Sequence, residues 1–320
     1  MLMTVVIQPE AFDQLHFAAP GYRDQAEMLL RGLASNGLIL CDPNCRLLRG
    51  INEQVERLGT KVGQQIQIRL AELQKSDRRR VVIADRTACS CPTSLSMLDA
   101  CRAVHSSLKT DTLIVDSVSL VQLQSGGVTP TGITPLNAYI SSDFEQKRHY
   151  CLDQVPPIDQ MAAGEFDDHL IRITRFSKRL RFYDKQIGKG NLGGFRSGIG
   201  RILSLWVKNA CFPRQSLTAE IYTCVQRTHE ATEDIYNRIL GKLVRRLASD
   251  TKVPIKFYFK EDDPSITHDR FLQTDFVAVS FSKGFDYMEK NGDLHRCVMK
   301  IDNGAYEHLR EYRNLKDHKM

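Results

Sequence analysis

No apolar run in the 320 residues approaches the roughly 20 needed to span a bilayer, so no membrane-spanning helix is expected. The opening residues, Met-Leu-Met-Thr-Val-Val-Ile-Gln-Pro-Glu, lack the basic region and cleavage pattern of a secretory signal. There is no internal repeat, no low-complexity tract and only one tryptophan. The nine cysteines lack a disulfide-framework pattern: their number is odd, and Cys101, Cys211 and Cys224 sit inside apolar runs. Reduced, partly buried thiols in a cytoplasmic protein are expected. Cys41-x3-Cys45 with Cys89-x-Cys91 lacks the close Cys-x2-Cys pairs of common structural zinc modules. No Gly-Lys-Ser/Thr follows the glycine-rich stretch 188–194, which excludes a Walker-type nucleotide loop.

What is present suits a soluble globular protein. Hydrophobic residues make up 42% and charged residues 26%, and the length accommodates two domains of ordinary size. The net charge of +6 favours a polyanionic partner, nucleic acid above all. Arg172, Arg175, Lys178, Arg179, Arg181, Lys185 and Lys189 crowd into eighteen residues. Such a cluster is either a solvated face or a phosphate-attracting one.

Periodicity divides the chain. In the first half, strands at Thr4–Ile7, Leu38–Leu40, Val81–Ala84 and Leu113–Val115 alternate with helical patterns over Tyr22–Ser35, residues 47–73 and Ser94–Val104. This alternation predicts a mostly parallel sheet with helices on both faces, a Rossmann-like three-layer domain over residues 1–125. Glycine and proline then accumulate, from Gly126-Gly127 to Pro156-Pro157, and predict a linker or irregular segment over 126–165. Residues 166–320 return to strands and helices in the order β-α-β-α-β-β-β.

Three apolar strands end in aspartates, Asp42, Asp85 and Asp116. Carboxylates gathered at strand ends could hold Mg²⁺ or Mn²⁺, as in nucleases that resemble PIN domains. Aspartate is also the usual cap or turn residue where a strand hands over to a helix. That role accounts for the residue type by itself, so capping is the expectation and no metal is expected. The glycine-rich loop after Asp184 precedes a helix, where free N–H groups favour anions.

The densest chemistry lies in residues 266–288. His268-x-Arg270 is followed by Asp275 and the strand Val277-Ala278-Val279, which runs to a turn at Ser282-Lys283-Gly284. On a strand, residues two apart share a face, so His268 and Arg270 would present a nucleophile beside a phosphate-binding charge. At these residues the chain resembles the phospholipase D superfamily, whose signature is His-x-Lys, four residues, then Asp. Arg270 replaces the lysine. With Lys283-Gly284-Phe285-Asp286, it brings the chain closer to the phospholipase D-like domain found downstream of microtubule-interacting-and-transport modules and in bacterial relatives.

That resemblance implies a metal-independent phosphodiesterase without cofactor, most plausibly a nuclease. His268 would attack phosphorus and Arg270 would grip the phosphate, with Asp275 orienting the site. Ser282, Lys283, Lys185 and Lys189 would add phosphate-binding donors. Only one such motif occurs in the chain, so a two-histidine site implies a homodimer pairing the C-terminal domains. Members of the same branch also serve as non-catalytic modules binding anionic partners or other protein subunits. By analogy, a bacterial defence or DNA-processing system would suit the combination of domains.

Overall fold

The computed structural model describes residues 2–59, 61–75, 79–126, 132–153, 155–162, 164–187, 192–224, 232–263, 270–288 and 292–318. The chain divides into two compact units, Met1–Gln154 and Val155–Met320.

The first unit runs β1 (Met3–Ile7), α1 (Gln14–Phe17), α2 (Tyr22–Asn36), β2 (Gly37–Cys41), α3 (Arg46–Arg57), α4 (Lys61–Gln74), β3 (Val81–Ile83), α5 (Met97–Leu108), β4 (Thr112–Val115), α6 (Ser117–Ser125), β5 (Ile133–Pro135) and α7 (Asp143–Asp153). Among the described residues the sheet has five parallel strands in the order β3-β2-β1-β4-β5. Every residue of β1 and β2 is buried, as a parallel sheet covered on both faces requires. Met3, Val5 and Ile7 join one core with Leu29, Leu30 and Leu33 of α2 and Ile66 and Leu70 of α4. On the other side, α5 lies against β1, β2 and β4.

Two expectations change here. The helical stripe over 47–73 is two helices, because the chain turns through Gly59, at φ +55°, after α3. Both helices place their apolar residues in the same core, so the three-and-four spacing continues across the break. The supposed linker over 126–165 also contributes structure: β5 pairs with β4, and Tyr139 and Phe144 enter the first core. The unit boundary falls at Gln154.

The second unit contains α8 (Glu165–Thr174), β6 (Arg179–Tyr183), α9 (Leu192–Asn209), β7 (Thr218–Cys224), α10 (Thr232–Ile239), α11 (Arg245–Thr251), β8 (Ile255–Lys260), β9 (Phe271–Gln273), β10 (Ala278–Phe281), β11 (Met299–Ile301) and α12 (Ala305–Asn314). A π-helical segment at Leu240–Val244 joins α10 to α11. The described strands form a six-stranded mixed sheet, β11-β10-β9-β6-β7-β8. Strands β6, β7 and β8 are parallel, whereas β9 returns antiparallel along the free side of β6.

The alternation along β6 sorts its side chains by face. Tyr183 stacks on Tyr222, and Tyr222 on Tyr258, at 4.7 and 4.6 Å between ring centroids. Helix α12 covers this face through Leu309 and Tyr312. Leu180 and Phe182 alternate with these residues along the strand, and Phe182 meets Phe285 edge-on. Trp206 of α9 is fully buried, and its indole N–H donates to the Ser177 carbonyl.

Candidate functional site

The register of β6 and β9 builds the site. Tyr183 pairs with Phe271, so the next residues outward, Asp184 and Arg270, become neighbours at the rim of the sheet. This rim is the carboxyl end of β6, the end at which open α/β sheets form their sites. Asp184 is 1% exposed. One carboxylate oxygen accepts the Gln186 N–H at 2.8 Å and the other the Phe285 N–H at 3.4 Å. The Arg270 Nε stands 3.8 Å from Asp184 Oδ1, and its Nη1 donates to the Ser282 carbonyl at 3.2 Å.

Burial pushes the Asp184 carboxyl up to about 6, against the lowering pull of the Gln186 N–H and the Arg270 guanidinium. A buried, perturbed acid beside a cation is a recurrent mark of functional sites. A group that binds its proton more tightly when folded contributes stability at low pH. Here that contribution is lost as pH rises through about 6.

The loop 282–287 closes over the acid. Gly284 has φ +88°, and a Cβ there would lie 2.6 Å from Asp184 Oδ2, so both conformation and space demand glycine. Phe285 and Tyr287 anchor the loop in the core, each fully buried, and the Tyr287 hydroxyl donates to the Gly198 carbonyl. A Cβ on Gly198 would fall 2.0 Å from the Phe285 carbonyl oxygen. Gly198→Ala is therefore expected to destabilise the second unit by about 1–3 kcal/mol, since backbone must move to make room. Thermal unfolding checks this, and an unchanged midpoint would show that the loop does not rest on α9.

The sequence-predicted residues scatter relative to this rim. His268 and Lys189 lie outside the described residues. Arg270 is at the rim. Asp275 is at the opposite end of the sheet, where its carboxylate accepts the Lys178 N–H at 2.7 Å and the Arg179 N–H at 3.3 Å. Five residues at roughly 3.3 Å each separate it from Arg270 by on the order of 15 Å. It caps the start of β6 and does not orient the site.

The remaining candidates for phosphate binding differ in availability. Ser282 spends its hydroxyl oxygen on the Val298 N–H and serves Arg270 through its carbonyl. Lys283 is exposed. Lys185 is buried, donates to the Asp263 carbonyl at 2.8 Å and pairs with Asp262 at 2.9 Å. Its charge is already matched, so it makes a poor phosphate ligand.

Most of the described members of the basic run have partners of their own. Arg175 lies over the Phe176 ring and Lys178 over Phe212. Arg179 and Arg181 share Glu220, at 3.7 and 2.8 Å.

The three strand-end aspartates of the first unit are taken up by their own turns. Asp42 accepts the N–H groups of Asn44 and Leu47, and Asp116 those of Val118 and Ser119. Asp85 accepts the N–H and hydroxyl of Thr87. Among the described residues, no three His, Cys, Asp or Glu side chains are placed to hold a metal ion. Capping and turn formation account for these carboxylates.

Asp184 was not singled out by motif, and the Gly284–Phe285 turn was noted only as part of the resemblance, not as the backing of a buried acid. The available signal was an aspartate ending an apolar strand, which Asp42, Asp85 and Asp116 also show. Only the pairing with β9 separates Asp184 from them. No protein-family model matches the chain, and no curated protein matches it. No helix among the described residues is long and apolar enough to cross a membrane.

Proposed function

We propose that the second unit is a metal-independent phosphodiesterase of phospholipase D type, acting on DNA or RNA. The observation that carries this reading is Arg270, held beside a buried acid at the carboxyl rim of the sheet and two residues after His268 in the chain. In the reaction, His268 forms a bond to phosphorus as the bond to the leaving oxygen breaks. The guanidinium of Arg270 grips a non-bridging oxygen, and Lys283 adds charge from the exposed turn. A second histidine protonates the leaving oxygen, and water then releases the phosphate from His268. With one His-x-Arg motif per chain, that second histidine comes from another copy, in a homodimer of C-terminal units. The first unit, with its strand order β3-β2-β1-β4-β5, takes the role of a Rossmann-like companion domain.

The internal pairing of Arg270 with Asp184 and of Lys185 with Asp262 favours a second reading, a non-catalytic module that binds an anionic partner. Cleavage assays on single- and double-stranded DNA and RNA, with and without EDTA, separate the two. Cleavage is expected to persist in EDTA and to fall by about a hundredfold or more in Arg270→Ala, with partial retention in Arg270→Lys. Loss of cleavage in EDTA overturns the metal-free reading. Binding without cleavage by the wild type establishes the module.

A further inference from the structure

We propose that Asp184 is the resident counter-ion of Arg270, a positioning residue that a phosphodiester oxyanion replaces when it binds at this rim. The inference rests on Arg270 being the phosphate-gripping residue. Three features of the pair support an exchange.

First, the contact between the two is one of charge and not a hydrogen bond. At 3.8 Å the Nε–Oδ1 separation exceeds hydrogen-bond length, and Arg270 Nε is a buried donor without an acceptor among the described residues. Second, the guanidinium is only partly committed. Its Nη1 donates to the Ser282 carbonyl, Nη2 has no hydrogen bond among the described residues, and the side chain is 20% exposed. An anion can therefore approach its outer edge while the inner edge faces Asp184. Third, Asp184 cannot withdraw. Gly284 backs its Oδ2 closely, and the N–H groups of Gln186 and Phe285 hold both oxygens.

An incoming oxyanion and an ionised Asp184 would then share one guanidinium in a poorly solvated place, a like-charge arrangement relieved by taking up a proton on the acid. The carboxyl, already pushed up to about 6 by burial, is poised for this. Among the described residues, the other groups acting on it do not supply an alternative cation. Asp286 of the loop adds negative charge, and Tyr312 of α12 is held neutral by burial.

The linkage has a definite sign. Anion binding raises the Asp184 pKa further, so affinity rises as pH falls from 8 and levels off below about 6.

The test uses the full chain and sulfate, a dianion whose charge is constant from pH 5 to 8. Sulfate is titrated at constant ionic strength by isothermal titration calorimetry in every variant, and the Arg270 Nε–H resonance locates the bound anion in the wild type. Binding is expected to be nearly tenfold tighter at pH 5 than at pH 8, the size of about one unit of pKa coupling. Asp184→Asn is expected to bind at pH 8 as tightly as the wild type does at pH 5, with no pH dependence. His268→Gln removes any share of the dependence carried by the imidazole, and the share carried by Asp184 is expected to remain.

A pH dependence that survives in Asp184→Asn overturns the proposal, as does one abolished by His268→Gln, which would assign it to the imidazole. Should Asp184→Asn fail to fold, the comparison of wild type with His268→Gln still decides. The failure of the underlying reading is distinct: sulfate affinity unchanged in Arg270→Ala removes Arg270 from phosphate binding altogether.

Discussion

Arg148→Ala is expected to destabilise the first unit by about 3–5 kcal/mol, the cost of leaving a buried charge without its partner. Arg148 and Glu145 are 4% and 3% exposed. The guanidinium grips the carboxylate through two nitrogens, each at 2.7 Å, and reaches Asn36 Oδ1 at 3.0 Å. Asn36 returns a hydrogen bond to the Arg148 carbonyl, and the Tyr139 hydroxyl donates to Glu145. The cluster thus ties α7 to the end of α2.

Burial pushes the Glu145 carboxyl up, but hydrogen bonds from Arg148 and Tyr139 outweigh it and hold the group below its usual value. A depressed folded value means stabilisation that is present above the unfolded carboxyl's value and lost as pH falls through the folded one. Urea unfolding at pH 7 measures the loss. A change under about 1 kcal/mol would mark the pair as solvent-screened. Replacing both partners by apolar residues of similar volume (Arg148→Met with Glu145→Leu) is expected to recover most of the stability.

His268→Ala is expected to lower phosphodiester cleavage by at least about a thousandfold, since the covalent step loses its nucleophile. Losing a charge that only attracts the substrate is a smaller matter, about tenfold per 1.4 kcal/mol. The thermal midpoint and the circular dichroism spectrum should match the wild type. The decisive comparison is kcat at saturating substrate, because removal of a nucleophile lowers kcat whereas removal of an attracting charge raises KM. Full activity in His268→Ala would take this histidine out of the chemistry and favour the anion-binding module.

The two variants probe different layers of the protein, and the sequence was unequally informative about them. Strand and helix positions were legible wherever one period ran uninterrupted. Val5, Ile39, Leu40 and Ile114 are buried as their apolar runs imply. The stripe from Leu47 to Leu73 was misread as one helix because a turn between two helices sharing a core preserves the three-and-four spacing. The segment 126–165 was misread because short elements joined by turns carry the same glycine and proline content as a linker. The buried ion pair of Glu145 and Arg148 lay inside it, and charged residues three apart on a helix look like ordinary surface pairs until something covers them.

By itself, the sequence determined the α/β class, the alternation of elements in each half and the lack of a helix long enough for a membrane, because these depend on local periodicity and composition. It also placed Arg270 two residues after His268. Strand pairing decided the rest. The antiparallel return of β9 along β6 set Asp184 beside Arg270, and the same register sent Asp275 to the opposite end of the sheet. Residues 184 and 270 are far apart in the chain and meet only through hydrogen bonds between strands, a register no single segment encodes. The parallel pairing of β6 with β7 set Arg181 opposite Glu220, which Arg179 shares, and Lys185 found Asp262 beyond the end of β8, so part of the basic run in the sequence became ion-paired.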